Sequence, residues 1–223
     1  MNYLNVFSGR DHNKFNLLND QDKQLCFVSL SSLSRQIADE FKEYHALNIA
    51  VEDLPTNNSK WYEDKQFIVI TSDVSLKKKA VACIEQNQGT FFSVVHKNSE
   101  ISTKTHIGHG TFIYAYTQTL PNEVAIIGNH CCIGSHVVVG HNVVMHDHCH
   151  ISPQCYISNC VLNEGVVVGV QSRIMGQFNS TISVASYCNI FTNSTVTKNI
   201  EKSATYYNNK LVNHFTSLDH RIL

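Results

Sequence analysis

Thirteen histidines in 223 residues, against a charged content of only 16%, are the side chains best suited to chemistry near neutral pH. A neutral imidazole can take a proton from an attacking nucleophile or hold a transition metal. Four of them crowd into GHNVVMHDHCH, as His141, His146, His148 and His150. His141 and His146 stand in H-x4-H spacing, and His106 would complete a candidate zinc set. The eight cysteines are the other reactive class: Cys26, Cys83, Cys131, Cys132, Cys149, Cys155, Cys160 and Cys188. No C-x-x-C occurs, which removes zinc ribbons and thioredoxin-type motifs. The N-terminal residues carry no apolar signal-peptide core, so free thiols are expected rather than disulfides.

A period of six residues sets where these groups point. Ile127, Ile133, Val139, Met145, Ile151 and Ile157 recur without a miss. After a one-residue slip come Leu162, Val168 and Ile174, and after a second, Phe178, Val184, Ile190 and Val196. Ile107 and Ile113 precede the run, before an irregular stretch at 115–124. Glycine follows the aliphatic residue at 108, 128, 134, 140 and 169. Neither a helix nor a flat strand has this period, whereas a hexapeptide β-helix does. A second inward position, four residues on, takes Cys131, Val137, Val143, Cys149, Cys155, Val161, Val166, Ser172, Ile182, Cys188 and Ser194. Four cysteines are thereby expected to be small core residues, while Cys132 and Cys160 fall off the pattern. His130, His136, His141, His146, His148 and His150 avoid both inward positions. They are expected to face a ligand or a neighbouring subunit rather than a core. With three hexapeptides per coil, His130 and His148 should stack roughly 4.8 Å apart.

Residues 24–97 follow another pattern. QLCFVSL, LNIAVEDL, FIVITSD and TFFSVV read as strands. SLSRQIADEFKEY, with Leu33, Ile37 and Phe41 on one side, and SLKKKAVACIEQNQ read as helices, the second capped by Asp73 or Ser75. Lys77, Lys78 and Lys79 are expected on its solvated face. Strand–helix alternation implies a small parallel sheet. The expected organisation is an extension over 1–22, an α/β domain over 23–97, a β-helix over 98–199 and a tail over 200–223. NSTVTKNIEKS is expected to close the last coil. A net charge of −1 excludes electrostatic capture of nucleic acid or of an anionic membrane. No run approaches the roughly 18 apolar residues of a membrane span. A soluble, cytoplasmic chain is expected.

FIVITSDVSLKKKAVACIEQNQ, the junction FFSVVHKNSEIS and the coil GHNVVMHDHCHISP together resemble a family. It is that of the bacterial hexapeptide-repeat sugar acetyltransferases, of the sialic-acid O-acetyltransferase and bacillosamine-pathway N-acetyltransferase type. The likeness spans about residues 24–200. It implies a small Rossmann-like N-terminal α/β domain followed by a left-handed parallel β-helix, the hand resting on the resemblance alone. It also implies an acetyl-CoA-dependent transferase acting on a nucleotide-linked sugar in surface-glycan biosynthesis. The enzyme would be a homotrimer with acetyl-CoA in the groove between prisms, and no metal. The acceptor, amine or hydroxyl, stays open. His141 would be the general base, and Asn142, the second catalytic candidate, stands where the family has an acid, as an amide that can orient the imidazole but not stabilise imidazolium by charge. His150 and Gly169 would meet acetyl-CoA. Ser31 and Ser32, in the glycine-free turn SLSSLS, would hold the nucleotide sugar with Glu52 and Asp53. YYNNKLVN replaces the family's Gly-x-Pro-Ala segment. Two rival readings stand beside this one. One is a degenerate, non-catalytic member. The other is a metalloprotein resembling the gamma-class carbonic anhydrases through GHNVVMH, with His106, His141 and His146 as ligands.

Overall fold

The computed structural model describes residues 4–5, 15–18, 23–30, 46–121 and 123–212. The helix expected at SLSRQIADEFKEY, and with it Ser31 and Ser32, lies outside the described residues.

Two short strands, β1 (Leu4–Asn5) and β2 (Phe15–Leu18), precede a small sheet of β3 (Gln24–Ser29), β4 (Leu47–Ala50), β5 (Lys65–Ile70) and β6 (Thr90–Phe91). The sheet is parallel throughout, in the order β4-β3-β5-β6. Both of its sides are covered, which is why its strands read as apolar runs. Cys26, Val28, Phe67 and Val69 pack against Ala80, Val81 and Ile84 of helix α1 (Val74–Gln86). Asp73 caps that helix, its carboxylate accepting from the Leu76 N–H at 2.9 Å. On the other side Leu25, Phe27, Ile68, Ile70 and Phe92 meet Val94, Phe112 and Cys132 of the second unit.

TFFSVV is not one strand. Thr90–Phe91 pairs with β5, Phe92 is fully buried between the units, and β7 (Ser93–His96) crosses into the second unit. That unit is a three-sided prism of stacked parallel strands. Face one runs through His106–Ile107, Ala125–Ile127, Val143–Met145, Cys160–Leu162 and Ile182–Val184. Face two begins with β7 and continues through Phe112–Ile113, Cys132–Ile133, His150–Ile151, Val167–Val168, Asn189–Ile190 and Thr205–Tyr207. Face three holds Gln118–Thr119, Val138–Val139, Tyr156–Ser158, Arg173–Met175 and Thr195–Val196. The aliphatic residues of the six-residue period fill one continuous core with Cys131, Cys149, Cys155 and Cys188.

The structure departs from the pattern at several points. Phe178 is 77% exposed, because the residues between Met175 and Ile182 leave the prism as a loop closed by the Gln177–Ser180 bridge. Cys160, not Val161, points inward, since the shortened turn before it puts Cys160 in register with Val143 and Ile182. The stack does not close at NSTVTKNIEKS: Thr205–Tyr207 adds a further rung to face two, and Lys210–Leu211 folds back on it. Residues expected as an N-terminal extension contribute β1 to face one and β2 to face two, both antiparallel.

Candidate active site at a prism corner

The corner between faces three and one carries His141. Its backbone is fixed at both ends by the next coil: its N–H donates to Ser158 Oγ at 3.1 Å, and its carbonyl accepts from the Asn159 N–H at 2.6 Å. Gly140 makes this approach possible, because a Cβ there would lie 2.6 Å from Ser158 Oγ. The imidazole is 42% exposed, and its Nδ1 lies 3.1 Å from Oε1 of Glu123. Glu123 sits at the same corner one coil earlier, inside the stretch whose period was irregular. An ion pair this open adds only about 0–1 kcal/mol to stability, so its main effect is on the ring's orientation. Glu123 was missed from sequence because it lies in the irregular stretch 115–124; the signal that could have found it is its one-coil separation of 18 residues from His141.

Asn142 does not turn to the imidazole. It occupies a left-handed corner (φ 49°), and its amide donates to Asn159 Oδ1 at 3.0 Å. Asn159 repeats the conformation (φ 47°), so the pair forms a ladder along the corner. Asparagine tolerates this region better than most residues.

His150 and Gly169 lie elsewhere in the chain. His150 is on face two between Cys132 and Val167, beside the α/β domain. Its Nδ1 is sealed and unpartnered. Burial, then the charge of Lys77, pushes its pKa down to about 3. Gly169 is at the corner between faces two and three, where a Cβ would lie 2.6 Å from the Thr192 nitrogen. Within one chain, then, the corner carrying His141 is opposite face two, and the three residues do not converge.

The histidines expected to stack do so, but not at a free surface. His130 and His148 lie parallel with centroids 5.2 Å apart, and Phe91 of the small sheet stands edge-on to His130 at 4.5 Å. His130 is 6% exposed, and burial, then the charge of His148, lowers its pKa to about 3. Burial, then Lys77, lowers His148 as well. Lys77 is wholly buried rather than solvated, because α1 lays it against this corner, where its ammonium donates to the His148 carbonyl at 3.5 Å. Lys78 joins the units through Glu164 and Tyr187, each at 2.7 Å. Of the three lysines only Lys79 is exposed.

Glu52 and Asp53 are exposed in a 3-10 turn at the carboxyl end of β4. The strand order puts a reversal of connection between β3 and β5, whose carboxyl ends form the crevice that ligands favour in open α/β sheets. Thr71 and the cap Asp73 lie there too, linked by the Asp73 N–H to Thr71 Oγ1 at 3.1 Å. Within one chain the residues of the metal alternative lie apart: His106 is in face one, His141 precedes that face at a corner, and exposed His146 follows it. Among the described residues no three His, Cys, Asp or Glu side chains converge to hold a metal ion. No helix of the described residues is long and apolar enough to cross a membrane.

Comparison with known proteins agrees with this architecture. Residues 125–159 match the family described as bacterial transferase hexapeptide (six repeats). No curated protein sequence matches the chain. The acetyltransferase domain of PglB from Neisseria gonorrhoeae FA1090 superposes with a TM-score of 0.67, over 85% of this chain and 98% of that one, at 14% identity. The chain shares the fold of that acetyltransferase domain. PerB from Caulobacter crescentus, in complex with CoA and GDP-perosamine, matches with a TM-score of 0.69 at 13% identity, over 82% of this chain and 92% of that one. WeeI from Acinetobacter baumannii AYE reaches 0.69 at 16% identity, over 85% and 99%. The pairing of a Rossmann-like domain with a left-handed β-helix is thus the shared architecture.

Proposed function

We propose that the chain is an acetyl-CoA-dependent acetyltransferase acting on a nucleotide-linked sugar, with His141 as general base. One observation carries the reading: His141 stands open at a prism corner with its main chain pinned on both sides, on a fold that two-ligand acetyltransferases share over both units. In the proposed reaction the acceptor's amine or hydroxyl attacks the thioester carbonyl, and Nε2 of His141 takes its proton. The C–S bond breaks as the new C–N or C–O bond stays, and the imidazolium returns the proton to the leaving thiolate. Such a base contributes about 10²–10⁴ in rate.

The scattered positions of His141, His150 and Gly169 support a site shared between copies. In a homotrimer with acetyl-CoA in the groove between prisms, His141 of one copy faces groups from another. The carboxyl edge of the small sheet, with Glu52, Asp53, Thr71 and Asp73, is the place for the nucleotide-linked sugar. The sulfur-bearing leaving group makes the test simple. Nucleotide-activated amino sugars are screened with acetyl-CoA while free thiol is followed, and His141→Ala is compared with the parent. Turnover should fall at least about tenfold, with acetyl-CoA binding by calorimetry retained. Undiminished turnover in the variant removes His141 as base, and failure of the parent to bind acetyl-CoA removes the transferase reading.

A further inference from the structure

We infer that Glu123 is the positioning carboxylate of His141, holding the ring in the tautomer with hydrogen on Nδ1 and leaving Nε2 as the exposed lone pair. The catalytic meaning of this rests on the reading of His141 as base; the tautomer itself does not.

Oε1 of Glu123 lies 3.1 Å from Nδ1. An ionised carboxylate can only accept, so a hydrogen bond along this contact requires the hydrogen on Nδ1. Neutral imidazole has one N–H, and Nε2 is then the free acceptor. The main chain of His141 is tied to Ser158 and Asn159, which removes swivelling of the backbone as an alternative way to aim the ring. The adjacent side chain takes no part, because the Asn142 amide is engaged with Asn159.

The local sequence explains how an acid arrives there. Face three ends at Thr119, and face one resumes at Ala125. The same corner one coil later needs only the three residues 140–142 between Val139 and Val143. The connection is two residues longer than its counterpart, and Glu123 on it comes beside His141, with its N–H donating to the Leu120 carbonyl at 3.4 Å. The broken period is thus the device that delivers the carboxylate. During proton transfer Nε2 gains the acceptor's proton, Nδ1 keeps its own, and the positive ring remains against the Glu123 carboxylate.

The test reads the ring directly. In protein labelled with 15N-histidine, His141 is assigned by comparison with His141→Ala. The parent should show one protonated nitrogen, Nδ1, and one pyridine-like nitrogen, Nε2. Glu123→Ala should lose this asymmetry, while Glu123→Gln, which keeps an acceptor, should retain much of it. In turnover, Glu123→Ala should lower kcat by about ten- to hundredfold, with KM for acetyl-CoA within twofold of the parent. A purely structural role for Glu123 would not move the nitrogen shifts while leaving KM alone. Unchanged nitrogen shifts in Glu123→Ala overturn the inference. Shifts that follow Glu123 together with full turnover in His141→Ala keep the tautomer assignment and reject the base.

Discussion

Lowering the pH from 7 to 5 should cost this protein several kcal/mol of stability, and the loss should trace to imidazoles buried between the two units. His130 and His150 are held neutral, with pKa values pushed down to about 3, first by burial and then by neighbouring positive charge. In the unfolded chain each titrates near 6.5. Below that value the unfolded state takes up protons that the native state refuses. Stability is therefore complete above about pH 7 and is lost as pH falls through 6.5 toward 3. At pH 5 the loss is about 2 kcal/mol for each group, or about 4 kcal/mol for the two. His148, shifted in the same direction, adds to this. Carboxylates titrate mostly below about pH 5. Native domains hold only about 5–15 kcal/mol in all, so the fall is large enough to measure. Urea unfolding at fixed protein concentration, at pH 7 and pH 5, gives the difference from the midpoint at constant m. His150→Val replaces the imidazole with the residue type found one rung on, at Val167. It should remove about 2 kcal/mol of the acid loss. An equal loss in parent and variant would refute the argument that burial of these rings sets acid stability.

Two further outcomes are expected. Gly140→Ala should cost about 1–3 kcal/mol and reduce turnover more than stability, because the new methyl lies 2.7 Å from Ser158 Cβ and displaces the hydroxyl that holds His141; urea midpoints beside kcat check this. Thiol labelling at pH 8 should modify at most Cys83 in the native protein, since the other seven cysteines are buried. Burial also pushes Cys26 and Cys160 up to about 12. Mass spectrometry after maleimide treatment gives the count, and rapid labelling of several thiols without denaturant would contradict the packing.

The prism was legible in the sequence because its interior admits two side chains per hexapeptide, one aliphatic and one small or β-branched, and punishes error at every rung. Ile127 to Ile157 keep step for that reason, and all are fully buried. The pattern misled where the chain leaves the stack. Phe178 satisfies the period in sequence yet stands in solvent, since periodicity is blind to a loop of matching length. His130, His148 and Lys77 were placed outside correctly with respect to the prism or helix, but a second unit covers that outside. Covering of one unit by another leaves no periodic mark. Glu123 shows the same limit at the site: it stands one coil before His141, at the spacing that stacks His130 on His148, but in the stretch where the period breaks and the register is lost. His141 was legible because its coil is regular on both sides.

The strands at the two ends of the prism have a consequence for assembly. Inside the stack every rung runs in one direction, and an open rung of that kind would accept an identical rung from another molecule, as in fibrous cross-β growth. Here β1 and β2 lie antiparallel on the first rungs of faces one and two, and Lys210–Leu211 lies antiparallel on the last rung of face two. A reversed strand presents the wrong polarity to an incoming parallel rung. Both ends of face two and the first end of face one therefore present a reversed strand, not an open parallel rung, to a neighbouring molecule.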